Sequence, residues 1–134
     1  MAKWLHDDVL KNGLQHIVDL AAGGKTIEQH VIKAYSAADS YTTVAGNSVM
    51  EVELQDTDMA WGAGTPSGLA LTIAAKAGVS ITANTGSSPD LHVAIVNATD
   101  EEVLLVTDET TNQEMTSGGT KDIPAWTIQC PLPT

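Results

Sequence analysis

Leu69-Ala70-Leu71-Thr72-Ile73, Val79-Ser80-Ile81-Thr82-Ala83, Leu91-His92-Val93-Ala94-Ile95-Val96, Val103-Leu104-Leu105-Val106-Thr107 and Ile123-Pro124-Ala125-Trp126-Thr127-Ile128 follow one another within residues 68–130. Each run is about 5–6 residues long, the usual length of a strand. Gly, Asn, Asp, Ser or Pro bounds each one, and these residues enter turns for known backbone reasons. Short apolar runs at close, even spacing predict a mainly β chain, an antiparallel sandwich or barrel. The stretch speaks to fold more than to chemistry.

Upstream, residues 7–22 predict the one N-terminal α-helix. Asp7 or Asp8 can cap its start. Leu10, Leu14, Ile17 and Ala21 fall at i, i+4, i+7 and i+11 on one face. Val18 and Leu20 widen that face, and Gly23-Gly24 ends the helix. Gly13 falls inside the predicted span, where it costs about 1 kcal/mol against Ala. Residues 29–36 then read as a strand, 37–46 as a small-residue loop, and 49–54 as a half-exposed strand. In the last of these Met50, Val52 and Leu54 point inward and Glu51 and Glu53 outward. Residues 56–68 form the longest irregular segment and carry Met59 and Trp61. Trp61 either plugs the core or presents an apolar contact to a partner. Pro124 restricts its run to a sheet edge or a strand start. The helix-to-sheet transition near residue 25 separates an arm and helix (1–25) from a β domain (26–134), the two forming one structural unit.

The chain has 134 residues, enough for one domain with a core that needs no staple. Phe is absent, so Val, Ile, Leu and Ala must build that core around three Trp. Lys supplies all six cations against seventeen acids, a net charge of −11. This balance argues against nucleic acid, whose phosphates require Arg and Lys clusters, and against an anionic membrane surface. One cysteine, Cys130, leaves no internal disulfide to form. The start lacks the apolar stretch of a signal peptide, and no run reaches the length of a membrane span. A soluble protein made in a cytoplasm is the expectation.

A catalytic site needs a nucleophile, a base and an orienting group that converge. Cys130 stands beside Pro131 without a recognisable motif. His6, His16, His30 and His92 show no paired metal spacing on a helix. His16 and His92 read as ordinary polar-face or hydrogen-bonded histidines. Asp56 and Asp58 resemble the opening of a calcium loop, but the glycine and closing glutamate do not follow. Glu51 and Glu53 read as the wet side of a sheet that guards an edge. No enzyme activity, cofactor or metal is expected. A binding or assembly module remains, with Trp4, Leu5, Met59, Trp61, Pro131, Leu132 and Pro133 as the candidate partner contacts.

Trp4-Leu5-His6-Asp7-Asp8-Val9-Leu10 resembles the start of a family of small tailed-bacteriophage virion proteins that begin with close variants of HDDVLDGALN. The likeness continues in Val31-Ile32-Lys33-Ala34-Tyr35-Ser36-Ala37. It is strongest over Ser67-Gly68-Leu69-Ala70-Leu71-Thr72-Ile73-Ala74-Ala75-Lys76-Ala77-Gly78-Val79. Asp90-Leu91-His92-Val93-Ala94-Ile95-Val96 is similar to ATHVALV. Met115-Thr116-Ser117-Gly118-Gly119-Thr120 with Ile123-Pro124-Ala125-Trp126-Thr127-Ile128 is similar to LTSGNTV-IPAW-I. Residues 38–46 and 56–64 depart from the pattern. The resemblance implies a virion part, nearest to the capsid cement (decoration) proteins of short-tailed phages. Such a protein is a jelly-roll-like homodimer that sits on the outer capsid surface and clamps neighbouring major capsid protein subunits. A tail or fibre component is the alternative within the virion. A carbohydrate-binding β module, stacking a sugar on Trp61 or Trp126, is the alternative outside it.

Overall fold

The computed structural model describes residues 4–5, 13–64, 68–109 and 112–130. In chain order they form β1 (Trp4–Leu5), α1 (Gln15–Ala22), β2 (Ile27–Ile32), α2 (Tyr41–Gly46), β3 (Ser48–Leu54), β4 (Met59–Ala63), β5 (Leu69–Ile73), β6 (Lys76–Ser80), β7 (His92–Asn97), β8 (Glu102–Asp108), β9 (Thr120–Ile123) and β10 (Trp126–Cys130). A single 3₁₀ turn, Asp56–Asp58, leads into β4. The strands build a five-stranded sheet in the order β1-β8-β7-β2-β3, a three-stranded sheet β10-β5-β4 and a ribbon β6-β9. Every ladder is antiparallel. The protein is mainly β and sandwich-like. It is not a closed barrel, since each sheet keeps two edges.

Register decides which residues meet, because opposed residues share a face and neighbours along a strand alternate. Ile27 and Ile95 of the large sheet face Met59, Leu71 and Ile73 of the small one, and Leu14 and Ile17 join them beside α1. Val31, Met50 and Leu91 pack instead against Val79, Ile81 and Ile123 of the ribbon, with Met115 beside them. The opposite face of the large sheet is also apolar. Ile32, Ala94, Val96, Val103 and Val106 pack there under Val44 of α2, with Tyr35 and Tyr41 at the margin.

Val103-Leu104-Leu105-Val106 cannot serve these two cores by strict alternation. A bulge solves the conflict. Ile95 pairs with Leu105 and Val96 with Val103, leaving Leu104 as the extra residue. Leu104 and Leu105 therefore both reach the inter-sheet core, while Val103 and Val106 both face α2. A second bulge, at Val49, lies between the pairs Val31–Met50 and Ile32–Ser48.

Several expectations require correction. The described part of the N-terminal helix begins at Gln15, and Gly13 is outside it with φ +72°, a left-handed conformation that glycine enters without strain. The proposed caps Asp7 and Asp8 lie outside the described residues. The predicted loop over 37–46 contains α2, started by Ser40, whose Oγ accepts the Thr43 N–H at 3.3 Å. The predicted strand over 29–36 ends at Ile32. Within 56–68, Met59–Ala63 forms strand β4 rather than irregular loop, because it pairs along its length with β5. The run from Ile123 splits around Pro124 into β9, which pairs with the ribbon, and β10, which pairs with the small sheet. Proline lacks the N–H that a continuous ladder needs.

The turn before β4 is fixed by charge. Asp58 accepts the Gln55 N–H at 2.8 Å and the Lys76 ammonium at 2.7 Å, so the start of β4 is tied to the ribbon. Burial works against the Asp58 carboxylate, but the Lys76 and Gln55 hydrogen bonds outweigh it and hold its pKa below the usual range. A lowered folded-state pKa contributes stability above the ordinary carboxylate pKa of about 3.9, and that contribution is lost as pH falls through the folded value. Asp58→Asn should therefore be less stable than wild type near neutral pH, with the gap closing below about pH 4. Urea midpoints from pH 7 down to pH 2 test this; a gap independent of pH would refute the assignment. For the core, Leu104→Ala should cost about 2–5 kcal/mol. A loss under about 1 kcal/mol in the same titration would show that the bulge does not carry a packed side chain.

Candidate functional site

The inner face of the small sheet extends past the core it covers. Met59 opposes Ile73, Trp61 opposes Leu71 and Ala63 opposes Leu69, all on that one face. Met59, Leu71 and Ile73 are buried, whereas Trp61 is 39% exposed and Leu69 54% exposed. The apolar row thus runs from the sandwich interior out to solvent along β4, a sheet edge. Trp61 Nε1 donates to Gln15 Oε1 at 2.7 Å, and Gln15 Nε2 donates to Asp19 Oδ1 at 2.8 Å. Helix α1 therefore orients the indole while its ring stays accessible. Rigid, accessible aromatics of this kind are favoured anchors in protein interfaces.

The candidate contacts fare differently. Trp61 is exposed and does not plug the core. Met59, expected beside it at the surface, is 5% exposed and belongs to the inter-sheet core, because β4 begins there. Trp4 and Leu5, expected as a free arm, pair with Val106 and Leu105 at the edge of the large sheet. Pro131, Leu132 and Pro133 lie outside the described residues. Trp126 is half-buried and its indole N–H donates to Gln29 Oε1, deep between the sheets. That bond satisfies the carbonyl oxygen of a buried glutamine in the middle of a central strand, while Gln29 Nε2 is buried with no hydrogen-bond partner.

A cleft of about 280 Å³ lies between the large sheet and the ribbon, floored by Val31, Met50, Leu91 and Val93 with Lys121 and Asp122 at its rim. Its volume falls just short of the usual range for small-molecule sites, about 300–1,000 Å³.

Two histidine–carboxylate groups can hold a cation among the described residues, Glu28–His30–Glu51 and Asp90–His92–Asp108. Neither group is evident from the sequence, where His92 reads as an ordinary polar-face or hydrogen-bonded histidine. His30 and His92 are each 1% exposed, which excludes the polar-face alternative for His92. They share one design. An acid stands two residues before the histidine, Glu28 on the same face of β2 and Asp90 in the segment leading into β7, and a second acid opposes it across the ladder: Glu51 for His30, Asp108 for His92. The acid-X-His spacing is present in the sequence at i, i+2, the strand period, and differs from the i, i+4 spacing of paired ligands on a helix. The opposing acid depends on register. His30 is fully engaged, with Nδ1 3.0 Å from Ser48 Oγ and Nε2 3.1 Å from Glu28 Oε1. His92 has only Nδ1 engaged, 3.2 Å from the Asp90 carbonyl oxygen; its Nε2 is buried and has no hydrogen-bond partner.

No family model matches the chain, and neither does any curated protein or solved structure.

The Gln29–Trp126 pair makes a direct test of the interior. Trp126→Phe keeps an aromatic ring and removes the indole donor to Gln29 Oε1, which should cost about 1–3 kcal/mol. Adding Gln29→Leu should recover most of that loss, because it removes the whole buried amide, including the Nε2 that already has no partner. Denaturation of the single and double variants reads this out, and equal loss in both would dismiss the hydrogen bond as the cause.

Proposed function

We propose that this chain is a non-enzymatic structural protein of a tailed-bacteriophage particle, a cement protein that bridges neighbouring major capsid subunits on the outside of the head. The observation that carries the reading is the Trp61–Leu69 surface, an apolar row on an open sheet edge with its indole held in place by α1. The resemblance at the chain's start, across residues 67–79 and near its end supports the virion context. Residues 56–64 depart from the pattern of that family, so the Trp61 contact is a feature of this chain and is not inherited from it.

Physical chemistry makes the reading coherent. A protein that binds an assembled shell and not its dissociated subunits stabilises the shell by mass action. Many copies around a closed lattice, each a homodimer in this proposal, turn modest contacts into a large aggregate effect. A net charge of −11 keeps such a protein from competing for packaged nucleic acid. The exposed indole also supports a second reading, a carbohydrate-binding module that stacks a sugar on Trp61. Trp126 no longer serves that reading, since its indole is engaged with Gln29.

Co-sedimentation with expanded phage heads stripped of accessory proteins tests the proposal. The expected result is saturable binding at a fixed ratio to capsid subunits, with heads that resist heat better. Trp61→Ser should weaken that binding by at least about 30-fold, the effect of losing an interface anchor of about 2 kcal/mol. No binding by the wild-type chain would move it off the shell and bring the tail or fibre reading forward. Quenching of indole fluorescence by a glycan, abolished in Trp61→Ser, would favour the carbohydrate reading instead.

A further inference from the structure

Nε2 of His92 sets an unusual problem in hydrogen bonding. The residue is 1% exposed, and this nitrogen is buried with no hydrogen-bond partner. The Asp90 carbonyl, 3.2 Å from Nδ1, can only accept, so it fixes a hydrogen on Nδ1. The neutral ring then presents a lone pair at Nε2. The nearest charged atom is Asp108 Oδ1 at 3.7 Å, itself an acceptor. Two acceptors facing each other in a buried setting repel unless something positive lies between them. One ligand atom from each of Asp90, His92 and Asp108 lies within 4.8 Å of the other two.

We propose that Asp90, His92 and Asp108 form a structural site for a divalent transition-metal ion of the zinc class. Three features of the chain point to it. The donor set is one imidazole nitrogen and two carboxylates, and the nitrogen selects the zinc class over magnesium or calcium. Metal-bound histidines characteristically give their other ring N–H to a carbonyl or carboxylate, as Nδ1 does here to the Asp90 carbonyl. The His92–Asp108 spacing also fits. Bonds of about 2.0–2.1 Å around a tetrahedral ion place its ligand atoms roughly 3.3–3.4 Å apart, so the 3.7 Å gap between Nε2 and Asp108 Oδ1 needs to close by only a few tenths of an ångström. The exposed Asp90 carboxylate, within 4.8 Å of the other ligand atoms, must swing in by up to about 1.5 Å.

The elements explain why the site is rigid. His92 is the first residue of β7 and Asp108 the last of β8, and the two are paired across the ladder. Tyr35 packs against the imidazole with ring centroids 5.6 Å apart, and the Asn112 side chain accepts the neighbouring Leu91 N–H at 2.8 Å. An ion here clamps the open end of the β7–β8 hairpin to the turn that precedes it. The His30 group makes an internal control, because both of its ring nitrogens already have partners.

Zinc chloride titrated into the full chain after chelator treatment tests the site, with uptake followed by calorimetry and the His92 ring nitrogens by ¹⁵N NMR. The expected result is one ion bound through His92, a shift of its Nε2 resonance, and a thermal midpoint that rises with zinc. Asp108→Asn should weaken binding at least about tenfold, His92→Asn should abolish it, and His30→Gln should leave it unchanged. Asp108 lies at the margin of the site, so its variant keeps the test valid if His92→Asn fails to fold. Absence of zinc uptake by the wild-type chain would overturn the proposal and leave only a proton or water between Nε2 and Asp108. Uptake that survives both Asp108→Asn and His92→Asn, or a His92 resonance that does not move, would overturn it equally.

Discussion

Strand β7 has no solvent side. All six of its residues are buried, and a strand buried on both faces requires a cover on each. The small sheet covers one face through Leu71 and Ile73, which pack with Ile95. On the other, α2 and the segment before it bring Val44 and Tyr35 over Ala94 and Val96. The remaining strands can be understood as what this double burial demands. Even the bulge in β8 serves it, since Leu104 and Leu105 feed one layer while Val103 and Val106 feed the other.

The same constraint governs the polar residues at the ends of β7. Asn97 is fully buried, yet its amide is spent on the turn that follows: Oδ1 accepts from Thr99 N–H and Asp100 N–H, and Nδ2 donates to Asp100 Oδ2. Asp100 in turn receives the Lys25 ammonium, the leading cause of its lowered pKa. A buried polar group with every partner in place fixes a single turn geometry. His92, at the opposite end of the strand, is buried as deeply and has half its hydrogen-bonding capacity open. The contrast between the two ends gives the histidine its chemical interest.

Much of the architecture was legible in the residues. Turn-bounded apolar runs marked β5, β7 and β8 almost to their limits, and the alternation of Met50, Glu51, Val52, Glu53 and Leu54 gave the correct buried face of β3. What escaped notice depended on partners distant in sequence. Met59–Ala63 contains Gly62 and small alanines and is weakly patterned, and it becomes a strand because β5 supplies a ladder for it. Short α2 rests on a Ser40 cap and on burial of Val44, a signal too local to stand out in a run of small residues. The Trp61 surface was half legible: an exposed indole was one of two alternatives, the other a plug for the core, and the strand beneath it was not read. The histidine groups were hidden because an acid-X-His pattern becomes a cluster only when register sets Glu51 or Asp108 opposite the ring.

The strand order also bears on how the chain comes into being. Three hairpins, β2–β3, β4–β5 and β7–β8, join neighbours in sequence and can form as they emerge from a ribosome. The large sheet, however, is joined at its centre by β2 and β7, where Ile27 pairs with Asn97 and Ile32 with His92. Closing that ladder means bringing together the two ends of a long loop, a step that sets the pace for folding in proteins rich in distant contacts. Until β7 is made, the edge of β2 that faces it has no strand to pair with. A nascent chain stalled before that point would expose an incomplete sheet, the kind of surface that invites aggregation or capture by chaperones.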